Sequence, residues 1–185
     1  VRVWASAPVP ADFHATHDAE SREYTYFLGS DGIEATRLES ALDRLAGTHD
    51  FHNLTPDDTG TTRSLSTTLD RDGAFFAIGF RAGGFPRQFV RRAVTLVSEV
   101  GRGERPVASL DRVLTEEPLS GPDGIGPASP DPLVMTAVSY RDIEFTCDHD
   151  AAADGRAIFE RRARERAARS RVASVLASVG IDEEA

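Results

Sequence analysis

The segment from Phe85 to Val100 constrains the fold more than any other stretch of this 185-residue chain. Phe85, Phe89, Val90, Ala93, Leu96, Val97 and Val100 recur at helical spacing, and a stripe that wide needs an equally large apolar surface to lie against. Period-two segments can supply it. In Ser21–Leu28 the residues Tyr24, Tyr26 and Leu28 share one side of a strand that Gly29 closes. Arg63–Leu69 and Ala74–Arg81 flank Asp70-Arg71-Asp72-Gly73, a hairpin signal, and Leu133–Tyr140 reads as a further strand. Weaker strands are expected at Arg2–Val9, ending at Pro8 and Pro10, and at Ile143–Thr146. A second helix is expected over Thr36–Ala46, where Leu38, Leu42 and Leu45 are spaced for burial and Gly47 is the stop. Val107–Thr115 reads as a short helix, and Asp154–Val179 as a long one with Val172, Val175, Leu176 and Val179 as its docking stripe. Leu119–Pro132 is rich in Pro and Gly and reads as a loop. The order ββ-α-ββ-α-α-β(β)-α indicates an α+β fold, a mostly antiparallel sheet with helices on one face.

Composition narrows the class. Hydrophobic residues make up 40%, ordinary for a globular domain, which excludes disorder throughout. The longest apolar stretches, Ala74–Gly79 and Leu133–Val138, are too short to span a bilayer, so no membrane partner is expected. Val1 to Phe13 lacks a secretory signal pattern. The single Cys147 cannot form an internal disulfide, excludes a zinc site built on several thiolates, and reads as a buried strand cysteine. These features describe a soluble, cytoplasmic protein.

Charge is distributed unevenly. Asp and Glu number 30 against 21 basic residues, all of them Arg. An acidic, Lys-free surface fits either salt adaptation, where screening tolerates self-repulsion, or a GC-rich codon bias. A net charge of −9 argues against a nucleic-acid partner, but Arg81–Arg105 carries a local +4 and Arg156–Arg171 a local +5. Such blocks serve RNA binding or a solvated helical face equally well.

Few isolated motifs carry chemistry. His14/His17 and His49/His52 are His-x-x-His pairs in expected turns. Neither sits in a His-Glu-x-x-His frame, so no metal site is expected. Gly-x-Ser-x-Gly and phosphate-cradling Gly-rich loops are absent from the sequence.

Three ordered segments are more specific. They are Val9-Pro10-Ala11-Asp12-Phe13-His14-Ala15 continuing through Arg22-Glu23-Tyr24-Thr25-Tyr26; Gly47-Thr48-His49-Asp50-Phe51 followed by Thr62-Arg63-Ser64; and Phe85-Pro86-Arg87-Gln88-Phe89-Val90-Arg91-Arg92. In this order and spacing, over roughly Val1 to Tyr140, they resemble the tRNA pseudouridine synthase A family, which isomerises uridines in the anticodon arm of tRNA. The resemblance implies a pseudouridine-synthase-like fold and a reaction without cofactor or metal. It also implies tRNA as partner and a homodimer. Tyr24 matches the tyrosine that stacks on the flipped uracil, and Arg91 the arginine that ion-pairs with the catalytic aspartate. Leu133 matches an aliphatic residue under the base. Arg22, Phe13 and His14 would line the RNA-facing turn, with Arg87 also on the substrate side. A flipped base needs an aromatic or apolar pocket, and an aspartate nucleophile needs a cation to stay ionised.

The departures shape the expectation further. The family's nucleophile lies in a Gly-Arg-Thr-Asp loop ahead of the Val-Pro turn, and no Gly-Arg-Thr-Asp occurs in these 185 residues. Thr16 stands where many members carry a basic residue. The chain is therefore expected to be a fragment, inactive alone. Residues 1–10 would be the end strand of a missing N-terminal domain, 11–150 the C-terminal synthase domain and 151–185 a helical extension. Two alternatives are a non-catalytic RNA-binding α+β module and an unrelated α+β enzyme that uses the His pairs.

Overall fold

The computed structural model describes residues 2–115, 117–119 and 124–179. The chain divides into two compact units: His14–Arg141, and the segments on either side of it. The compact units meet at 13/14 and at 141/142.

His14–Arg141 is built on five antiparallel strands. β2 spans Ala19–Gly29, β3 Gly47–Asp50, β4 Thr62–Asp72, β5 Phe75–Ala82 and β6 Leu133–Tyr140. Their spatial order is β3-β4-β5-β2-β6. Tyr26 and Leu28 on β2, Phe76, Ile78 and Phe80 on β5 and Leu65 on β4 alternate inward and are buried. The intervening Phe27 and Phe75 are exposed, so one face carries the core. Two helices cover that face: α1, Ala35–Leu45, buries Leu38, Leu42 and Leu45, and α2, Phe89–Gly101, buries Phe89, Ala93, Leu96, Val97 and Val100. A short α3 spans Ser109–Val113. This is the expected α+β arrangement.

Where boundaries differ, the cause is local. α2 begins at Phe89 rather than Phe85, because a residue that precedes proline, as Phe85 does, disfavours helical backbone and Gln88 sits in the left-handed region at φ 62°. The β4–β5 hairpin closes through Gly73 and Ala74, with Asp72 opposite Phe75 and Gly73 at φ 57°. The turn is therefore two residues long and lies beyond Asp70–Asp72, which extend β4. β3 has no apolar alternation to announce it; it forms because β4 continues past β5 and pairs Arg63 with His49 and Leu65 with Gly47. Leu119 and residues 124–132 form no regular element; residues 120–123 of the expected loop lie outside the described residues.

In the other unit, β1 is only Ala5–Ser6, pairing with β7, Thr146–Cys147. α4 runs His149–Ser178, starting five residues before expectation because Asp148 caps it, its side chain accepting from Ala151 N–H at 2.9 Å. Cys147 lies on a strand as expected, yet it is exposed rather than buried, since a two-residue ladder offers little to pack against. Val172, Val175, Leu176 and Val179 are 60–72% exposed, so among the described residues the expected docking stripe is uncovered. No helix among the described residues is long and apolar enough to cross a membrane.

This contrast yields a measurable difference. Leu38 is fully buried and Leu176 is 66% exposed. In urea titrations of the chain, Leu38→Ala should lower the unfolding free energy by about 2–5 kcal/mol. Leu176→Ser should stay within about 0.5 kcal/mol of the parent.

Candidate functional site

A chain of aromatic rings leads from the core to the edge of β2. Phe51, fully buried, meets Phe89 at 4.7 Å between centroids; Phe89 stacks on Phe85 at 5.9 Å; and Phe85 meets Tyr24 edge-on at 5.3 Å and 84°. Each ring fixes the next, with geometries that the aromatic quadrupole favours. Tyr24 lies on the core-facing side of β2, opposite Phe80 on β5 and Met135 on β6. It is only half-buried, because the helical layer ends near it. Tyr26, two residues further in, is 5% exposed. Burial is the main force pushing the Tyr26 phenol above its usual value of 10.0; nearby Arg91 opposes this and Asp131 adds to it. Tyr26 therefore stays neutral at ordinary pH and belongs to the core.

Tyr24, Phe85, Phe89, Arg91 and Leu133 line one open cavity of about 250 Å³, with Pro86, Gln88 and Val90 completing the wall. The cavity is just below the ~300–1,000 Å³ usual for small-molecule sites, a size suited to a single ring. Arg91 is half-buried in the first turn of α2. Its Nε donates to the Ala128 carbonyl at 2.5 Å, and Ala128 N–H donates back to the Arg91 carbonyl at 3.1 Å. Among the described residues, its two terminal nitrogens have no hydrogen-bond partner and no carboxylate lies within ion-pair distance. Arg92, one position on, is otherwise engaged: Nη1 donates to the Ile125 carbonyl at 2.6 Å, and Nε and Nη2 reach Gln88 Oε1. Leu133 opens β6 opposite Tyr26.

The remaining expected site residues fall elsewhere. Arg22, two residues before Tyr24 on β2, lines a neighbouring cavity and donates from Nη1 to the Gly83 carbonyl at 2.8 Å. His14 caps a turn, its Nδ1 accepting from Thr16 and His17 N–H. His17, rather than His14, lines the cavity beside Arg22. Phe13 belongs to the other unit. Arg87 is 66% exposed, pairs with Asp57 at 3.2 Å and does not line the Tyr24 cavity. Its backbone N–H bond to Asp57 chiefly holds that carboxyl below the usual range. Phe85, Phe89 and Gln88 are lining residues that the helical pattern alone assigns to the core or the surface. The left-handed φ of Gln88 is the only such non-Gly conformation lining the cavity among the described residues.

By fold this is an α+β protein with an antiparallel sheet covered on one face by helices, the class that includes pseudouridine synthases. The sequence model of the tRNA pseudouridine synthase family matches residues 41–141, a span that includes Arg91 and Leu133. A protein of Haloarcula marismortui named tRNA pseudouridine synthase A is 52% identical over 171 residues, 88% of this chain and 62% of that protein. One of Natronomonas pharaonis with the same name is 52% identical over 95% of this chain and 67% of its own length. One of Methanothrix thermoacetophila is 35% identical over 93% and 64%. The chain belongs to the tRNA pseudouridine synthase family. It spans about two thirds of the length of these relatives.

Gln88 gives the cavity wall a testable strain. Gln88→Val should cost about 1–2 kcal/mol, because a β-branched side chain tolerates a left-handed φ poorly. Gln88→Gly should stay within about 0.5 kcal/mol of the parent, since strain relief offsets the lost bonds to Arg92. Chemical denaturation of the two variants measures both.

Proposed function

We propose that this chain carries the uridine-holding part of a tRNA pseudouridine synthase acting on the anticodon arm. One observation carries the reading: Tyr24, Arg91 and Leu133, distant in sequence and placed by three different elements, line a single ring-sized cavity. These are the positions to which the family likeness gives the base-stacking, aspartate-pairing and base-supporting roles. A uridine extruded from the RNA stack would lie between Tyr24 and Leu133, with Phe85 behind it. In the reaction the glycosidic bond moves from uracil N1 to C5, C5 loses a proton and N1 gains one. Nothing is oxidised or reduced, so no cofactor or metal is required by the balance.

The attacking carboxylate would come from a Gly-Arg-Thr-Asp loop, which these 185 residues do not contain. The terminal nitrogens of Arg91, without a partner among the described residues, are the cation to receive it. A planar guanidinium binds a carboxylate through two parallel bonds and keeps it ionised at neutral pH. The working enzyme, on this reading, is a cytoplasmic homodimer with tRNA as substrate, and its acidic surface is an adaptation to salt.

Tritium release from tRNA labelled at uracil C5 tests the proposal. The 185-residue chain alone should release none, because the covalent route has no nucleophile; release above background would overturn the reading. In enzyme that also contains the Gly-Arg-Thr-Asp loop, Arg91→Ala should lower turnover by about a hundredfold or more while tRNA affinity changes little. Removing the cation raises the pKa of the aspartate, so the variant's residual rate should climb with pH where the parent's is flat. Arg91→Lys should recover only part of the loss.

A further inference from the structure

β5 ends at Ala82, between β2 and β4, and the chain leaves the sheet through Gly83 and Gly84 before reaching Phe85. Two arginines close on this exit from opposite sides. Arg22 on β2 donates from Nη1 to the Gly83 carbonyl at 2.8 Å and from Nη2 to the Thr16 carbonyl. Arg63 on β4 donates from Nε to the Gly84 carbonyl at 3.0 Å and from Nη1 to the Thr62 carbonyl at 2.6 Å. Both guanidiniums line one cavity of about 340 Å³, together with His17 and the glycine pair. Each is half-buried, and each keeps donor N–H groups that no described residue accepts from, among them Nε of Arg22 and Nη2 of Arg63.

Two arginines line this cavity and no carboxylate does. Arg37, Arg44, Arg87, Arg102, Arg105 and Arg141 each have a carboxylate partner. Arg22 and Arg63 have none within ion-pair distance among the described residues, and no carboxylate lines their cavity. In a chain with 30 acids and 21 arginines, two convergent guanidiniums bonded only to neutral carbonyls form a local positive recess. Their carbonyl bonds fix their orientation in advance, which reduces the ordering cost of binding an anion. Tyr24 and Phe85 belong to both this cavity and the one containing Arg91, so the two are adjoining compartments. Arg22 and Tyr24 are alternate residues on one side of β2, about 6.8 Å apart along the strand.

We propose that Arg22 and Arg63 form a phosphodiester-binding site, engaging the RNA backbone phosphate next to the nucleotide held against Tyr24. The site rests on the reading of the Tyr24 cavity as a uridine pocket, and extends it to Arg63, which the family likeness leaves without a role. Backbone anchoring at that distance sets the register of the strand, while the aromatic cavity takes the base.

The test uses the 185-residue chain and an RNA hairpin with a uridine-containing loop, titrated at several salt concentrations. Arg63→Gln and Arg22→Gln should each weaken binding roughly tenfold at low salt and reduce the slope of log affinity against log salt by about 0.7–0.9. Arg63→Lys should keep the parent slope, because it keeps the charge. Arg141→Gln, a surface arginine paired with Glu20, should change nothing. In hairpins carrying one neutral methylphosphonate, the position adjoining the bound uridine should weaken the parent protein more than Arg63→Gln, which keeps only Arg22 on that phosphate. Parent-like slopes for both Gln variants would overturn the phosphate site and leave the uridine pocket standing, and so would Arg63→Lys behaving like Arg63→Gln. A parent chain that fails to bind the hairpin would overturn the uridine reading and the phosphate site with it.

Discussion

Phe89 is where the fold and the cavity depend on the same contact. It opens α2 at 1% exposure. It packs on Phe51 below and Phe85 above, so the helix, the sheet and the cavity wall share one column of rings. A fully buried Phe contributes about 1.5–3 kcal/mol by area alone, and the offset contacts add to that. The consequence for the site is stiffness. Tyr24 is held from behind by a ring that is itself held, so the cavity is shaped before anything enters it. A preformed wall spares a ligand the ordering cost that a loop-built site would impose.

The segment around Ala128 depends on the same helix. It has little backbone capacity of its own, because prolines remove donors. α2 supplies the missing partners through Arg91 and Arg92, which bind the carbonyls of Ala128 and Ile125. Ile125, 3% exposed, then closes over the core. Arg91 therefore has two ends with different work. Nε is committed to the segment and holds the guanidinium still, while among the described residues nothing accepts from the terminal nitrogens beside the cavity. A merely solvated helical arginine would lack the fixed Nε. Arg92, whose side-chain bonds among the described residues go to Ile125 and Gln88, is a structural clamp.

Elements with clean periodicity were legible in the sequence. β2, β6 and α1 lie within two residues of expectation because alternation or the Leu38/Leu42/Leu45 spacing leaves one solution each. The start of α2 was not legible, since Phe85 continues the apolar stripe although Pro86 and the backbone of Gln88 break the helix behind it. β3 was invisible because Gly47–Asp50 is polar; its pairing is set by β4, a tertiary cause that no local pattern carries. The stripe on α4 shows the reverse error, an apolar pattern taken for burial where Val172 and Leu176 are exposed. Motif order picked out Tyr24, Arg91 and Leu133, and the cavity brings those three together. Arg63 lay within the Thr62-Arg63-Ser64 segment but had no role there, because an arginine on a polar strand looks like any surface charge until Gly84 is seen beside it.

The basic blocks separate by the same criterion. In Arg81–Arg105, three of the six arginines pair with Asp57, Glu99 or Glu104, which cancels charge locally while stabilising by no more than about 1 kcal/mol each. The other three bond to neutral oxygens: Arg81 to Ser21, Arg91 to Ala128 and Arg92 to Ile125 and Gln88. Glu99 and Glu104 already enter the local sum of +4, so only Asp57, paired from outside the block, lowers what it presents to a distant polyanion. Salt sharpens the point, since at 1 M the Debye length is about 3 Å. At that range neither the −9 body nor the Arg156–Arg171 block projects far, and the groups that still count are those that touch. Guanidiniums fixed by carbonyls in a recess keep their direct contacts, where mobile surface arginines lose most of theirs. If the acidic surface reflects a salty milieu, the proposed RNA contacts belong in the two adjoining cavities along β2 rather than on the charged helix.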